Sequence, residues 1–267
     1  MKNLVVFILI IGVLALALYL VRGGRQSEQP TETQQLSMPA ESTPAIPAQQ
    51  LAVPPPQTAT PDAEDDAATV PLPDLDQSDA VIQERLAEVH DAAQLEKLFL
   101  FADAVRRFVV TIDNMTTAKL PQKFKFTRLP EDKFLVQINT DGAEYINQDN
   151  YNRYTIYVTF IETLDMDKAV ALYFKYYPIF QQAYTELGYP DRSFNDRLID
   201  VVDHLLASPV VPEPVKLLRP KVYYIYADAD LEALSAGQKL MIRIGQTNAD
   251  RVKRWLQRLR VELAAGR

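Results

Sequence analysis

Apolar residues run unbroken from Leu4 to Val21 (LVVFILIIGVLALALYLV), thin out across residues 26–77, and return from residue 78 with helical and strand periods. At 1.5 Å per residue, the eighteen residues of the first run would span about 27 Å as a helix, close to the hydrocarbon thickness of a bilayer. The run therefore predicts a single transmembrane helix within residues 1–25. Ala15-Leu16-Ala17 resembles a signal-peptide cleavage site, but cleavage there would leave Leu18-Tyr19-Leu20-Val21 as an apolar terminus, and the run exceeds the usual signal core. An uncleaved anchor is the expectation.

Residues 26–77 hold ten prolines, with Pro54-Pro55-Pro56 at the centre, among Ala, Gln, Thr, Ser and Glu. Such a stretch buries too little apolar surface to offset its ordering entropy, which predicts a disordered linker. As a coil it would average about 40 Å end to end, and more with proline stiffness and like-charge repulsion.

From Ser78 to Arg267 the pattern predicts one mainly helical domain with a small β element, an α+β unit. Ser78 is placed to cap a helix through Val81, Leu86 and Val89. A second helix, from Ala102 to about Asn114, carries Val105, Phe108, Val109 and Ile112 on one stripe. After Leu120-Pro121 the period shortens: "KFKF" and "FLVQIN" read as strands, and Asp141-Gly142 turns the latter back into "AEYIN" as a hairpin. Tyr151, Tyr154, Val158 and Ile161 mark another helix. A longer one, about Asp167 to Leu187, contains Pro178, which should kink or split it. "VYYIY" (Val222 to Tyr226) reads as a strand. Two last helices, about Ala229–Ile244 and Ala249–Leu263, are expected on either side of Gly245, with Thr247 or Asn248 capping the second.

The densest charged stretch is GYPDRSFNDRLIDVVDHLL, residues 188–206. On a helical wheel at about 100° per residue, Phe194, Leu198, Val201, Val202 and Leu205 fall in one sector, while Asp196, Arg197, Asp200, Asp203 and His204 fall opposite. Ser193 is a good N-cap, with Asp196 three residues on. The charged residues thus form the outer face of an amphipathic helix and a candidate interaction surface. Asp196, Asp200 and His204 share one ridge, yet three ligands along a straight helix span about 12 Å, too far for a single ion. No metal and no cofactor is expected.

Charge follows the same partition: the first 25 residues carry +3, Gln26 to Glu84 carry −11 with no Lys or Arg, and the remainder carries +1. A segment without positive charge translocates readily, which orients the domain outside the cytoplasm. Nothing here marks a strongly basic nucleic-acid-binding domain. The chain has no cysteine, which excludes a lipid-modified cysteine anchor, disulfides and thiolate metal sites. With only His90 and His204 as imidazole bases, and no G-x-S-x-G elbow or phosphate-binding glycine loop, no catalytic residue is assigned. Paired carboxylates remain compatible with a hydrolase.

Twelve of the thirteen tyrosines lie between Tyr145 and Tyr226, among them Tyr151, Tyr154, Tyr157, Tyr173, Tyr176, Tyr177, Tyr184, Tyr189 and the group Tyr223, Tyr224, Tyr226. They suit the rim of a core, or an aromatic surface for a protein or glycan. In the last helix Arg251, Lys253, Arg254, Arg258 and Arg260 stand opposite Val252, Leu256, Leu259 and Leu263. This reads as a solvated face, with anionic lipid or nucleic acid as the alternative ligand.

"RRFVVTIDNM" (Arg106 to Met115), the stretch from Tyr176 to Pro209, and "LEALSAGQKLMIRIGQTNADRVKRWL" (Leu231 to Leu256) resemble a bacterial family catalogued as domain of unknown function 3014. The resemblance covers roughly residues 80–263. It implies a single-pass anchor, a variable Pro-rich linker and this domain, and it implies no activity. The expectation is a non-enzymatic, membrane-tethered module of the bacterial inner membrane, with its domain in the periplasm and an envelope protein or cell-wall component as partner. A carboxylate-dependent hydrolase acting on an envelope polymer is the alternative.

Overall fold

The computed structural model describes residues 72–87, 100–124 and 133–266. The expected anchor, the linker up to residue 71, Val89 and the second half of the KFKF stretch lie outside them. Among the described residues no helix is long and apolar enough to cross a membrane. These residues are mostly helical, with one four-stranded antiparallel sheet in the order β1-β2-β3-β4.

Packing begins before Ser78. Leu75, in a single 3-10 turn (Leu75–Gln77), is buried in the main core. The Ser78 hydroxyl donates to the Leu75 carbonyl at 2.8 Å, so it closes this turn and does not cap helix α1 (Ser78–Ala87) as expected. Its neighbour Asp79 caps a different helix. The Asp79 carboxylate accepts from the backbone N–H of Asp103 (2.6 Å) and of Ala104 (2.8 Å) at the start of α2 (Ala104–Asn114). That long-range cap starts α2 two residues later than periodicity suggested. Its predicted stripe of Val105, Phe108, Val109 and Ile112 is buried throughout.

Helix α3 (Asp149–Glu162) buries Tyr151, Tyr154, Val158 and Ile161 as the period required, and Tyr157 besides. Helix α4 (Met166–Glu186) runs through Pro178 as one element, so of the kink or split expected there the split does not occur. The ring is on the exposed side, where solvent can serve the carbonyl that loses its N–H partner. Helix α5 (Phe194–Leu206) is capped by Ser193, whose hydroxyl accepts from Asp196 N–H at 3.2 Å. Phe108, Phe180 and Phe194 bring α2, α4 and α5 together, with ring centroids 5.5 to 6.1 Å apart. Each such pair contributes about 0.5–1.5 kcal/mol beyond area burial.

The hairpin forms from β1 (Val136–Ile138) and β2 (Glu144–Ile146), with Val136 opposite Ile146 and Gly142 at φ 76 in the turn. The sheet is completed by β3 (Lys216–Leu218), a strand the sequence did not suggest, which pairs with β2, and by β4 (Ile225–Tyr226), which pairs with β3. Only two residues of VYYIY are strand, and β3 is too short to show a period. Ile146, Val215, Leu217 and Tyr226 join Tyr151 and Ile242 in a second, smaller core.

The expected helix from Ala229 to Ile244 is two helices, α6 (Ala229–Ala233) and α7 (Ala236–Arg243). Ser235 breaks it by capping α7, and the freed N–H groups of Ala236 and Gly237 donate to the carbonyls of Thr117 and Met115. Helix α8 (Gln246–Ala265) follows Gly245, which lies at φ 81, ψ 156. Neither Thr247 nor Asn248 caps it. Asn248 is inside the first turn and buried, donating to the carbonyls of Tyr151 and Ile244. The Gln246 N–H is met instead by Glu213 Oε1 at 2.6 Å.

Candidate functional site

The charged face of α5 divides in two. Asp196 and Asp200 are exposed. Arg197 turns inward: its Nε donates to Asp113 Oδ1 at 2.9 Å, and its Nη2 to the Asp113 carbonyl and to Thr116 Oγ1. It therefore serves the C-terminal carbonyls of α2. Asp203 accepts both arms of Arg260, at 2.5 and 3.1 Å, which ties α5 to α8. His204 Nε2 is 2.7 Å from Ser235 Oγ, and burial, with the positive charge of Arg197, holds its pKa below the ordinary histidine value. Among the described residues no three His, Asp or Glu side chains are grouped to hold a metal ion.

Half of the tyrosines between residues 145 and 226 are interior. Tyr151, Tyr154, Tyr157, Tyr173, Tyr184 and Tyr226 are buried, and the remaining six between residues 145 and 226 are half-buried. Burial pushes the Tyr154 phenol up to about 12, in spite of the nearby Arg243 and Arg153. Tyr226 donates its hydroxyl to the Lys239 carbonyl at 3.2 Å and so belongs to the smaller core, not to an interaction surface. Tyr224 is half-buried, its hydroxyl 3.1 Å from Glu144 Oε1 and its ring under the Arg219 guanidinium at 5.3 Å. Tyr223 is also half-buried. The buried face of α5 packs in the larger core, whereas Tyr226 lies in the smaller core with Tyr224 packed against it.

A third feature was not singled out from sequence. The end of α3, the start of α4 and the outer side of α8 enclose an open groove of about 730 Å³. Met166, Val261 and the edge of Trp255 supply its apolar lining. Trp255 is 1% exposed, and its indole N–H is buried without a hydrogen-bond acceptor. At one wall Arg251 clamps Glu162 with Nε and Nη2, at 3.0 and 2.5 Å, and also reaches Thr159. Arg251 first, then Arg254 and Arg258, hold the Glu162 carboxyl below its ordinary range. Arg254 and Arg258 are exposed and make no ion pair among the described residues. Asp167 and Glu262 complete the lining.

The basic residues of α8 were visible in sequence, but the groove was not. Glu162 and Met166 stand 84 and 80 residues before the start of α8, and no local period announces that they meet it. Chemically the groove can seat a chain bearing carboxylates, because each free guanidinium offers paired N–H donors that match a carboxylate.

No curated protein and no solved structure matches this chain. The family model described as "Protein of unknown function (DUF3014)" matches residues 104–260, from the first residue of α2 to Arg260 in α8, and the chain belongs to that family.

Proposed function

We propose that the protein is a non-enzymatic, membrane-tethered interaction module of the bacterial cell envelope, which holds a carboxylate-bearing segment of a protein or cell-wall component in the groove along α8. The observation that carries this reading is the pair of unpaired, exposed guanidiniums, Arg254 and Arg258, beside Val261 and Trp255. Apolar contact with a few placed charges is the usual make-up of a recognition groove. The tether rests on the sequence: the apolar run Leu4–Val21 as an inner-membrane anchor, and a proline-rich, acidic linker that gives the domain reach into the periplasm. The hydrolase alternative has less support, because Arg251 holds one of the three groove carboxylates, Glu162, ionised, which suits an ion pair and not a proton donor.

Trp255 is the only tryptophan in the chain and lines the groove, so its emission reports occupancy. A short glutamate-rich peptide added to the full chain in lipid nanodiscs should change that emission saturably, and a lysine-rich peptide should not. The double variant R254E/R258E should abolish the change. An unresponsive wild-type protein, or a response that survives in the double variant, would refute the assignment.

A further inference from the structure

The β3–β4 hairpin carries a second surface of a different kind. Leu217 and Tyr226, directly opposite each other, point into the smaller core, so Lys216, Leu218 and Ile225 point outward. On the same outer face Tyr145 stands between Lys216 and the exposed Gln137, and Leu135, 41% exposed, is two residues before Gln137 on the same strand side. The outer face of an antiparallel sheet ordinarily alternates to polar residues. Here it keeps leucine, isoleucine and tyrosine, and the connecting turn adds Arg219, Pro220, Lys221 and Val222. Val222 is 61% exposed and Leu218 48%.

Three cations lie on this hairpin: Lys216, Arg219 and Lys221. None of them makes an ion pair among the described residues, and the sequence has no acid between Glu213 and Asp228. Glu144, which is linked to the turn, accepts from the Tyr224 hydroxyl. Arg219 rests on the Tyr224 ring, which holds its charge at the tip of the hairpin. Exposed aliphatic side chains, half-buried tyrosines and unpaired cations on a projecting turn are the composition of a surface that sits in lipid headgroups: apolar groups enter the acyl boundary, tyrosines take the interface, and cations meet phosphates.

We infer that the β3–β4 hairpin docks the domain on an anionic lipid surface, with Val222 and Leu218 inserted and Lys216, Arg219 and Lys221 on the headgroups. A lipid surface suits an exposed, aliphatic tip better than a polyanion in solution does, since a polyanion would be met by the cations alone and leave Val222 in water. The inference rests on the tether reading, because an anchor within the same chain keeps the hairpin at high local concentration near the bilayer. Each basic residue near an anionic leaflet strengthens binding about fivefold, so the three together contribute on the order of a hundredfold.

The absence of cysteine makes the test direct, since V222C is the sole labelling site in the full chain. The label is an environment-sensitive fluorophore, and the chain is reconstituted into nanodiscs of phosphatidylcholine, with or without phosphatidylglycerol. The inference expects a blue shift and quenching by lipid-borne quenchers only in the anionic discs. It expects none from V210C, a control at a site 70% exposed and outside the hairpin. K216E/R219E/K221E should remove the shift and K221E alone should weaken it about fivefold or more in lipid dose, with Trp255 emission confirming that both variants fold. A V222C label indifferent to anionic lipid overturns the inference, as does a shift that persists in the triple variant. A shift produced equally by dextran sulfate in solution also overturns it and points to an anionic polymer instead. Flotation of the chain with neutral liposomes reports the anchor separately, so failure of the tether and failure of the hairpin are distinguishable.

Discussion

Gly245 separates α7 from α8, and its replacement by alanine tests how the two cores are joined. Its φ of 81 and ψ of 156 lie where side-chain-bearing residues are strained, at a cost of about 1–3 kcal/mol. A Cβ there would also stand 2.6 Å from Tyr151 Cγ and 2.9 Å from Tyr151 Cβ and Cδ1. Tyr151 is buried in the smaller core, and its carbonyl receives the Asn248 amide, so the ring cannot withdraw freely. Overpacking of this kind adds about 1–3 kcal/mol. Gly245→Ala should therefore lose about 2–6 kcal/mol in all. Gly142 is the internal control: it also has positive φ, at 76, but a Cβ there meets nothing within 4 Å, so Gly142→Ala carries the backbone term alone. The assay is urea unfolding followed by Trp255 emission, which reports burial of the single tryptophan. If the two variants differ by less than about 1 kcal/mol, the contact with Tyr151 does not constrain the junction and the reasoning fails.

Asp79→Ala should cost about 1–2 kcal/mol, because two N–H groups at the start of α2 lose their acceptor; thermal melting by circular dichroism measures it, and an unchanged midpoint would remove Asp79 as the cap. Arg197→Ala should cost about 1–3 kcal/mol by leaving the largely buried Asp113 without its partner, and Arg197→Lys should not restore it, since an ammonium cannot reproduce the forked contact with Asp113 and Thr116. Arg260→Ala, by contrast, removes an exposed pair with Asp203 and should change the unfolding midpoint little, at about 0–1 kcal/mol. His204 has a folded pKa below its unfolded value of 6.5, so the unfolded chain takes up the proton first as pH falls. Its contribution is complete above 6.5 and is lost as pH drops from there toward the folded value. Denaturation midpoints for His204→Gln should lack that decline, and equal slopes in the two proteins would contradict it.

The amino-acid order alone determined which faces of the main helices are buried. The stripes Val105-Phe108-Val109-Ile112, Tyr151-Tyr154-Val158-Ile161 and Phe194-Leu198-Val201-Val202-Leu205 each became the buried side of a helix, and Ser193 capped α5 as its position demanded. These rules are local: they act over one turn, through backbone bonds to the residue four back and side chains stacked on one face. The Asp141-Gly142 turn is legible for the same reason, since both its strands lie within a few residues of it.

Tertiary structure decided what local rules leave open. Asp79 caps a helix 24 residues downstream, Glu213 meets the N–H of Gln246 33 residues away, and Arg197 meets Asp113 across 84. A carboxylate or guanidinium looks the same in sequence whether it faces water or ends a distant helix. So the α5 face, which reads as one band of charge, resolves into Asp196 and Asp200 in solvent and Arg197, Asp203 and His204 engaged within the domain. Half of the tyrosines between residues 145 and 226, which read as a possible surface, lie inside, Tyr226 because the pairing of β4 with β3 sets it opposite Leu217. Even the groove depends on α3, α4 and α8 meeting, an arrangement set by burial of Trp255, Ile161 and Leu259 in a common core and not by any spacing along the chain. The physical reason is range: secondary structure answers to neighbours, whereas a binding surface is made by residues that only the collapse of the core brings together.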